Sequence, residues 1–252
     1  MGVCGREGQR WPSGNLLALA ILNSLLSVVP AGYQLTVMNA PQGILEEFVD
    51  ASFEAHFGQL STAGASYLWS AITAALSVGA LLGCFMSVPL SDYFGIRKAL
   101  MLVNNAILFL GCFFFAIAKP TNSWECFIVG KIALGIYSGI AMSLQTAFIQ
   151  EASPNEFRGP LSCLVHIAMT VGSALGAIMG TGAVLGTRSL WPLLLALPAV
   201  FGLVQMLLVN MFKDSPKSLH RQQPFSDAAE EAIYFYYGPE SDSRKASLQP
   251  AY

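Results

Sequence analysis

An all-α membrane protein with six spanning helices is what this sequence predicts, and three observations predict it. Hydrophobic residues make up 54% of the chain and charged residues only 11%, where a soluble domain carries roughly 25% charge. Mean hydropathy is +0.55. The charges are also clustered, so that long windows hold none: Arg10 to Glu46, Glu54 to Asp92, Lys98 to Lys119, Lys131 to Glu151, Arg158 to Arg188 and Arg188 to Lys213. A helix crosses the hydrocarbon layer with about 20 apolar residues. Each window holds that many, and lipid offers backbone groups no partner outside a helix.

The spans are expected near Leu16–Val37, Tyr67–Pro89, Ala99–Ala118, Phe127–Ile149, Leu161–Leu185 and Leu190–Phe212. The first is too long for a signal-peptide core and lacks a small-residue cleavage pattern, so it is read as retained. Lys and Arg set the orientation. Arg6, Arg10, Arg97, Lys98, Arg158, Lys213, Lys217, Arg221, Arg244 and Lys245 fall on one side, against Lys119 and Arg188 on the other, with Lys131 just inside a span. Both termini are therefore expected in the cytoplasm. The loop from Met38 to Ser66 then faces outward, with Glu46, Glu47, Asp50 and Glu54 and no glycosylation sequon.

Packing between the spans is read from small residues, because lipid gives helices little hydrophobic reason to associate. Gly172, Gly176 and Gly180 recur in the fifth span, Gly135 and Gly139 in the fourth, and Ser77, Gly79, Ala80 and Gly83 in the second. These helices are expected to approach closely. The third and sixth, with FLGCFFF and LLLALPAVF, are bulkier and are expected to face lipid.

Polar side chains at this depth usually face the bundle interior or a wet cavity. Candidates are Gln34 and Asn39 in the first span, Gln145 in the fourth, and His166 and Thr170 in the fifth. His166 and Thr170, four residues apart, share a helix face. An interhelical hydrogen bond and a ligand contact explain His166 equally well. Asn104 and Asn105 are read as capping or packing.

Other chemistry is not indicated. The net charge of −2 shows no basic stripe for nucleic acid. Cys4, Cys84, Cys112, Cys126 and Cys163 have no metal or redox spacing and read as small buried hydrophobes. MGVCGR carries Arg6 where an acylation signal wants Ser or Thr. His56, His166 and His220 fall in three environments and no span holds an acidic pair, so neither an enzyme, a metal site nor a cofactor is expected.

The cytoplasmic edges carry a more specific pattern: QEASPNEFRGPLS after the fourth span, SDYFGIRKALMLVNN after the second and KDSPKSL after the sixth. With GYQLTVMNAPQ, LWSAITAALSVGALLG and SLWPLLLALPAVF, these resemble the facilitative hexose transporters, sugar porters of the major facilitator superfamily, over about residues 15–238.

The resemblance implies the amino-terminal six-helix half of that fold, since a major facilitator has two such halves with substrate between them. It divides the chain into a cytoplasmic N-terminus (1–14), a transmembrane half-bundle (15–212), the start of an intracellular helical region (213–238) and a disordered tail (239–252). Glu151, Arg158, Arg97 and Asp92 match the family's gating charges, which pair at the cytoplasmic ends of neighbouring helices. Several positions depart from the family pattern: Val88, Tyr93 and Ile96 in the loop element, Lys131 for Arg, and Lys213 to Lys217 after the sixth span. Lys does not reproduce the fork of Arg, so a weaker network is expected.

His166 stands where relatives place a sugar-binding Gln, and a neutral His also offers one donor and one acceptor. Gln34 stands where proton-coupled members carry Asp, and Gln does not titrate. Together with Tyr33, which serves equally as an interfacial anchor, and Thr170, these residues are expected to line the path of a hexose moving without ion coupling. The expected partners are the hexose, the lipid bilayer, and either the missing carboxyl half or a full-length relative. The expected location is the plasma membrane. The alternative is a truncated, non-transporting protein that associates with a full-length transporter.

Overall fold

A computed structural model describes residues 14–59, 61–153 and 157–209. Expectations for the N-terminus before residue 14, the helical region at 213–238 and the tail at 239–252 lie outside them. The described residues form helices and connecting turns: α1 (Gly14–Thr36), α2 (Gln42–Phe57), α3 (Thr62–Phe94), the single turn α4 (Ile96–Lys98), a π-helical segment (Ala99–Val103), α5 (Asn104–Thr121), α6 (Trp124–Ala152), α7 (Arg158–Met179), α8 (Trp191–Ala196) and α9 (Ala199–Leu208). Six helical stretches are long and apolar enough to cross a membrane: α1, α3, α4 with α5, α6, α7, and α8 with α9.

Local sequence explains the ends. Ser61 caps α3, its Oγ accepting from the Gly64 N–H at 3.2 Å. Gly95 sits between α3 and α4 at φ +80°, a conformation that side chains resist, and it turns the chain back into the bundle. Asn122 closes α5 at φ +46°, donating its N–H to the carbonyls of Ala118 and Lys119.

The small residues act as their spacing predicts. α3 lies along α6 and α1 along α7, the two most extensive helix pairings. A Cβ added at Gly139 would run into the Ala80 carbonyl, and one at Gly83 into that of Ile136. On the other pair, a Cβ at Gly172 would meet the Val29 carbonyl and one at Gly32 that of Met169. Backbone touches backbone in both.

Four expectations need correction. The loop expected from Met38 to Ser66 is largely helical. It contains α2, whose Leu45 and Val49 are buried. Phe48 packs at 4.9 Å on Trp191, and Ser52 Oγ donates to the Asn122 carbonyl at 2.6 Å while accepting from the Trp124 N–H at 2.9 Å. Charge hid this amphipathic cap from a search for unbroken apolar runs. The second span extends to Thr62, because Ser66 and Ser70 return their hydroxyls to carbonyls one turn back and so remain compatible with a helix.

The fifth span stops at Met179, not Leu185. Gly180, Gly182 and Gly186 follow, and each costs about 1 kcal/mol in a helix relative to Ala. Bulk identified the faces only in part, since the sixth span does expose Leu193, Val200, Leu203 and Leu207. The third span does expose Phe113, yet Phe115 and Leu108 are fully buried, while the glycine-bearing α3 and α7 present Phe85 and Ile167 outward. A small-residue stripe commits only one side of a helix.

Candidate functional site

The four residues expected to line a sugar path divide between two places. Tyr33 and Gln34 lie inside the bundle, 2% and 1% exposed. The Tyr33 hydroxyl donates to the Leu194 carbonyl at 2.8 Å, and Gln34 Nε2 donates to that of Leu195 at 3.4 Å. Gln34 Oε1 is buried without a hydrogen-bond partner among the described residues. His166 and Thr170 instead lie on the exposed surface of α7, beside Ile167 and Val171. The Thr170 hydroxyl donates to the His166 carbonyl at 2.9 Å, which keeps the two one turn apart on one face. Asn39 is exposed in the turn after α1.

α1 and α7 nevertheless form one unit. Thr36 Oγ1 donates to the Ser173 carbonyl at 2.6 Å, and Ser173 Oγ donates to the Gly32 carbonyl at 3.2 Å. The Tyr33 backbone lies against Gly172 and Gly176, farther along α7 than His166, and the side chains of Tyr33 and Gln34 turn to α8 instead.

A second group of polar side chains was largely missed by sequence reading. Asn23 Nδ2 donates to Gln145 Oε1 at 2.7 Å, and Gln145 Nε2 donates to Ser24 Oγ at 2.9 Å. Gln205 Nε2 donates to Asn23 Oδ1 at 2.9 Å and to Ser27 Oγ at 2.6 Å. Asn105 Nδ2 reaches Gln205 Oε1 at 3.0 Å, and the Tyr137 hydroxyl donates to the Ser27 carbonyl at 2.7 Å. Every side chain in this group is buried. The network joins α1, α5, α6 and α9, so Gln145 is interhelical glue and not cavity lining. A lone amide in an apolar run, as in FGLVQMLL, was the available signal. Asn104 is equally buried with both amide atoms unbonded among the described residues, and nothing in the structure explains it.

The four charges expected at the cytoplasmic edge sit at helix ends. Asp92 is exposed in the last turn of α3, Arg97 is half-buried in α4, and Glu151 is half-buried in the last turn of α6. Arg158 opens α7 and donates from Nε to the Ser153 carbonyl at 3.3 Å. Because α4 packs on α6, Arg97 and Glu151 stand on adjoining elements. Lys131 is buried in α6 at 3% exposure.

Three comparisons bear on this arrangement. Residues 19–249 match the family model described as "Sugar (and other) transporter". The chain is 31% identical over 234 residues to the human solute carrier family 2, facilitated glucose transporter member 4, covering 91% of this chain and 46% of that protein. It is 30% identical to member 9 from Pongo abelii, covering 96% of this chain and 42% of that one. The chain therefore spans less than half the length of these curated relatives. Among solved structures, the proton:xylose symporter XylE bound to 6-bromo-6-deoxy-D-glucose superposes with a TM-score of 0.77 at 21% identity, over 93% of this chain and 51% of that one. An inward-open form of XylE from E. coli gives 0.70 at 19% identity, over 92% of this chain and 55% of that one. At these identities the likeness is one of fold: the six-helix arrangement is that of a major facilitator half.

Proposed function

Because this chain belongs to the sugar (and other) transporter family and is a multi-pass membrane protein, we propose that it forms the amino-terminal half of a facilitative hexose carrier working by alternating access. The observation that carries this reading is the open face of α7. There His166 and Thr170 present hydrogen-bonding groups on a surface shared with Ile167, Val171 and Ala174. Polar groups on such a surface favour a wet route over lipid. A carbohydrate hydroxyl is matched by the donor and acceptor of a neutral imidazole.

Transport without ion coupling is proposed because the acidic residues described in the spans, Asp92, Glu125 and Glu151, lie at helix ends. The interior of α1 offers Gln34 in place of a titrating group. Tyr33 and Gln34 tie α1 to α8 beside this wall, while Arg97, Glu151, Arg158 and Asp92 form the cytoplasmic gating charges. Plasma-membrane location with cytoplasmic termini completes the proposal.

Uptake of labelled hexose tests it, with the chain assembled with a carboxyl half in vesicles. His166→Ala is expected to raise KM for the hexose, and a protonophore is expected to leave uptake unchanged. Wild-type uptake kinetics in His166→Ala would refute the substrate role. Uptake abolished by the protonophore would refute uncoupled transport. Absence of uptake from every assembly containing the chain would favour a non-transporting role beside a full-length relative.

A further inference from the structure

We propose that Tyr33 and Gln34 brace a proline break in the sixth span, so that the polar end of α1 positions the outer segment of another helix. In an α-helix each carbonyl accepts from the N–H four residues on. For Leu194 that residue is Pro198, which has no N–H. The helix accordingly stops at Ala196 and restarts at Ala199. Hydrogen bonds across the break run from the Val200 N–H to the Leu197 carbonyl at 3.0 Å and from the Phe201 N–H to the Pro198 carbonyl at 3.1 Å. Neither reaches Leu194 or Leu195.

Uncapped carbonyls at membrane depth are tolerated only where neighbouring groups satisfy them again. α1 supplies two such groups in succession. The Tyr33 hydroxyl takes the Leu194 carbonyl at 2.8 Å and Gln34 Nε2 takes the Leu195 carbonyl at 3.4 Å. Both side chains are closed off from the surface, and α1 runs unbroken through them. The donors are held in place by backbone contact between α1 and α7 at Gly172 and Gly176.

The brace has a definite load. α8 begins at Trp191, a buried ring that packs on Phe48 of the α2 cap and lies 6.0 Å from Phe127 of α6. On the other side of the break, α9 is held by Gln205 in the amide network. The two parts of the sixth span are therefore fixed by different groups, and only the outer part depends on Tyr33 and Gln34.

A double-mutant cycle on the full chain in lipid nanodiscs tests the brace. Tyr33→Phe removes one oxygen and is expected to lower the melting midpoint by about 2–4 °C. Pro198→Ala restores an N–H for Leu194. In that background Tyr33→Phe is expected to cost less than half as much, a rescue that a role in packing alone would not give. An equal loss in both backgrounds, or no loss from Tyr33→Phe, overturns the proposal. Should Tyr33→Phe fail to fold alone, recovery of folding on adding Pro198→Ala supports it, and continued failure overturns it. Pro198→Ser, which also restores the N–H, replaces Pro198→Ala if that variant does not fold.

Discussion

Asn23, Gln145 and Gln205 are amides in apolar helices, and each of their side chains is engaged by others of the same bundle. His166 and Thr170 occupy an equally apolar helix, yet their side chains point out of it. The first group closes the interior of α1, α5, α6 and α9. The second leaves imidazole and hydroxyl capacity available at the surface. The contrast teaches that polarity at membrane depth has at least two uses, adhesion within a half-bundle and contact beyond it. What separates them is the direction of the side chain, not its chemistry or its depth.

The largest effect that would break this contrast comes from the interior. Asn23→Leu removes the donor to Gln145 Oε1 and an acceptor of Gln205 Nε2, leaving buried amide atoms short of partners. We expect a loss of about 1–3 kcal/mol in folding stability, read from denaturation in mixed micelles. Interhelical bonds in membranes average nearer ~0.6 kcal/mol, so most of the loss comes from the orphaned partners. Gln205→Leu comes next, at about 1 kcal/mol. Asn105 keeps its bond to the Met101 carbonyl at 2.8 Å and so is not stranded. His166→Leu, on the open face, should change stability by less than ~0.5 kcal/mol. A large loss there would place His166 in the adhesive class.

Much of this was legible in the sequence, and what was not has physical causes. Six spans follow from charge-free runs, and the backbone contacts at Gly83, Gly139 and Gly172 follow from glycine spacing. α2 was missed because Glu46, Glu47, Asp50 and Glu54 interrupt its apolar stripe. The break at Pro198 passed unread because an apolar run continues across it. The candidate site was the least legible. His166 and Thr170 share a face by spacing alone, but four-residue spacing does not say which way that face points. Gln34 and Gln145 look the same in sequence as a substrate ligand would. Their partners, the Leu195 carbonyl and Asn23, lie 161 and 122 residues away in the chain.

The smallest expected effect lies outside the membrane, where water moderates every interaction. Asp50 lines a cleft of about 130 Å³ with Glu46, Thr62, Ala65 and Ser66. Partial burial, then the carboxylates of Glu46 and Glu54 one turn away on each side, raise its pKa above the ordinary value. The native state thus binds this proton more tightly than the unfolded chain does. Stability from Asp50 is present below the ordinary carboxylate pKa and is lost as pH rises through the raised one. Asp50→Asn should flatten that slope in a melting series from acid to neutral pH. It should leave the interior network and the α7 face unaffected.

Labelling by a water-soluble thiol reagent tests the contrast most directly, in the assembled carrier with the exposed Cys84 and Cys163 replaced by Ser. His166→Cys should react readily and be protected by hexose, while Gln145→Cys should stay unreactive until the fold is lost. Equal reactivity at the two positions, or a sealed thiol at 166 beside an open one at 145, would contradict the division between a buried adhesive network and an exposed α7 face proposed to meet sugar.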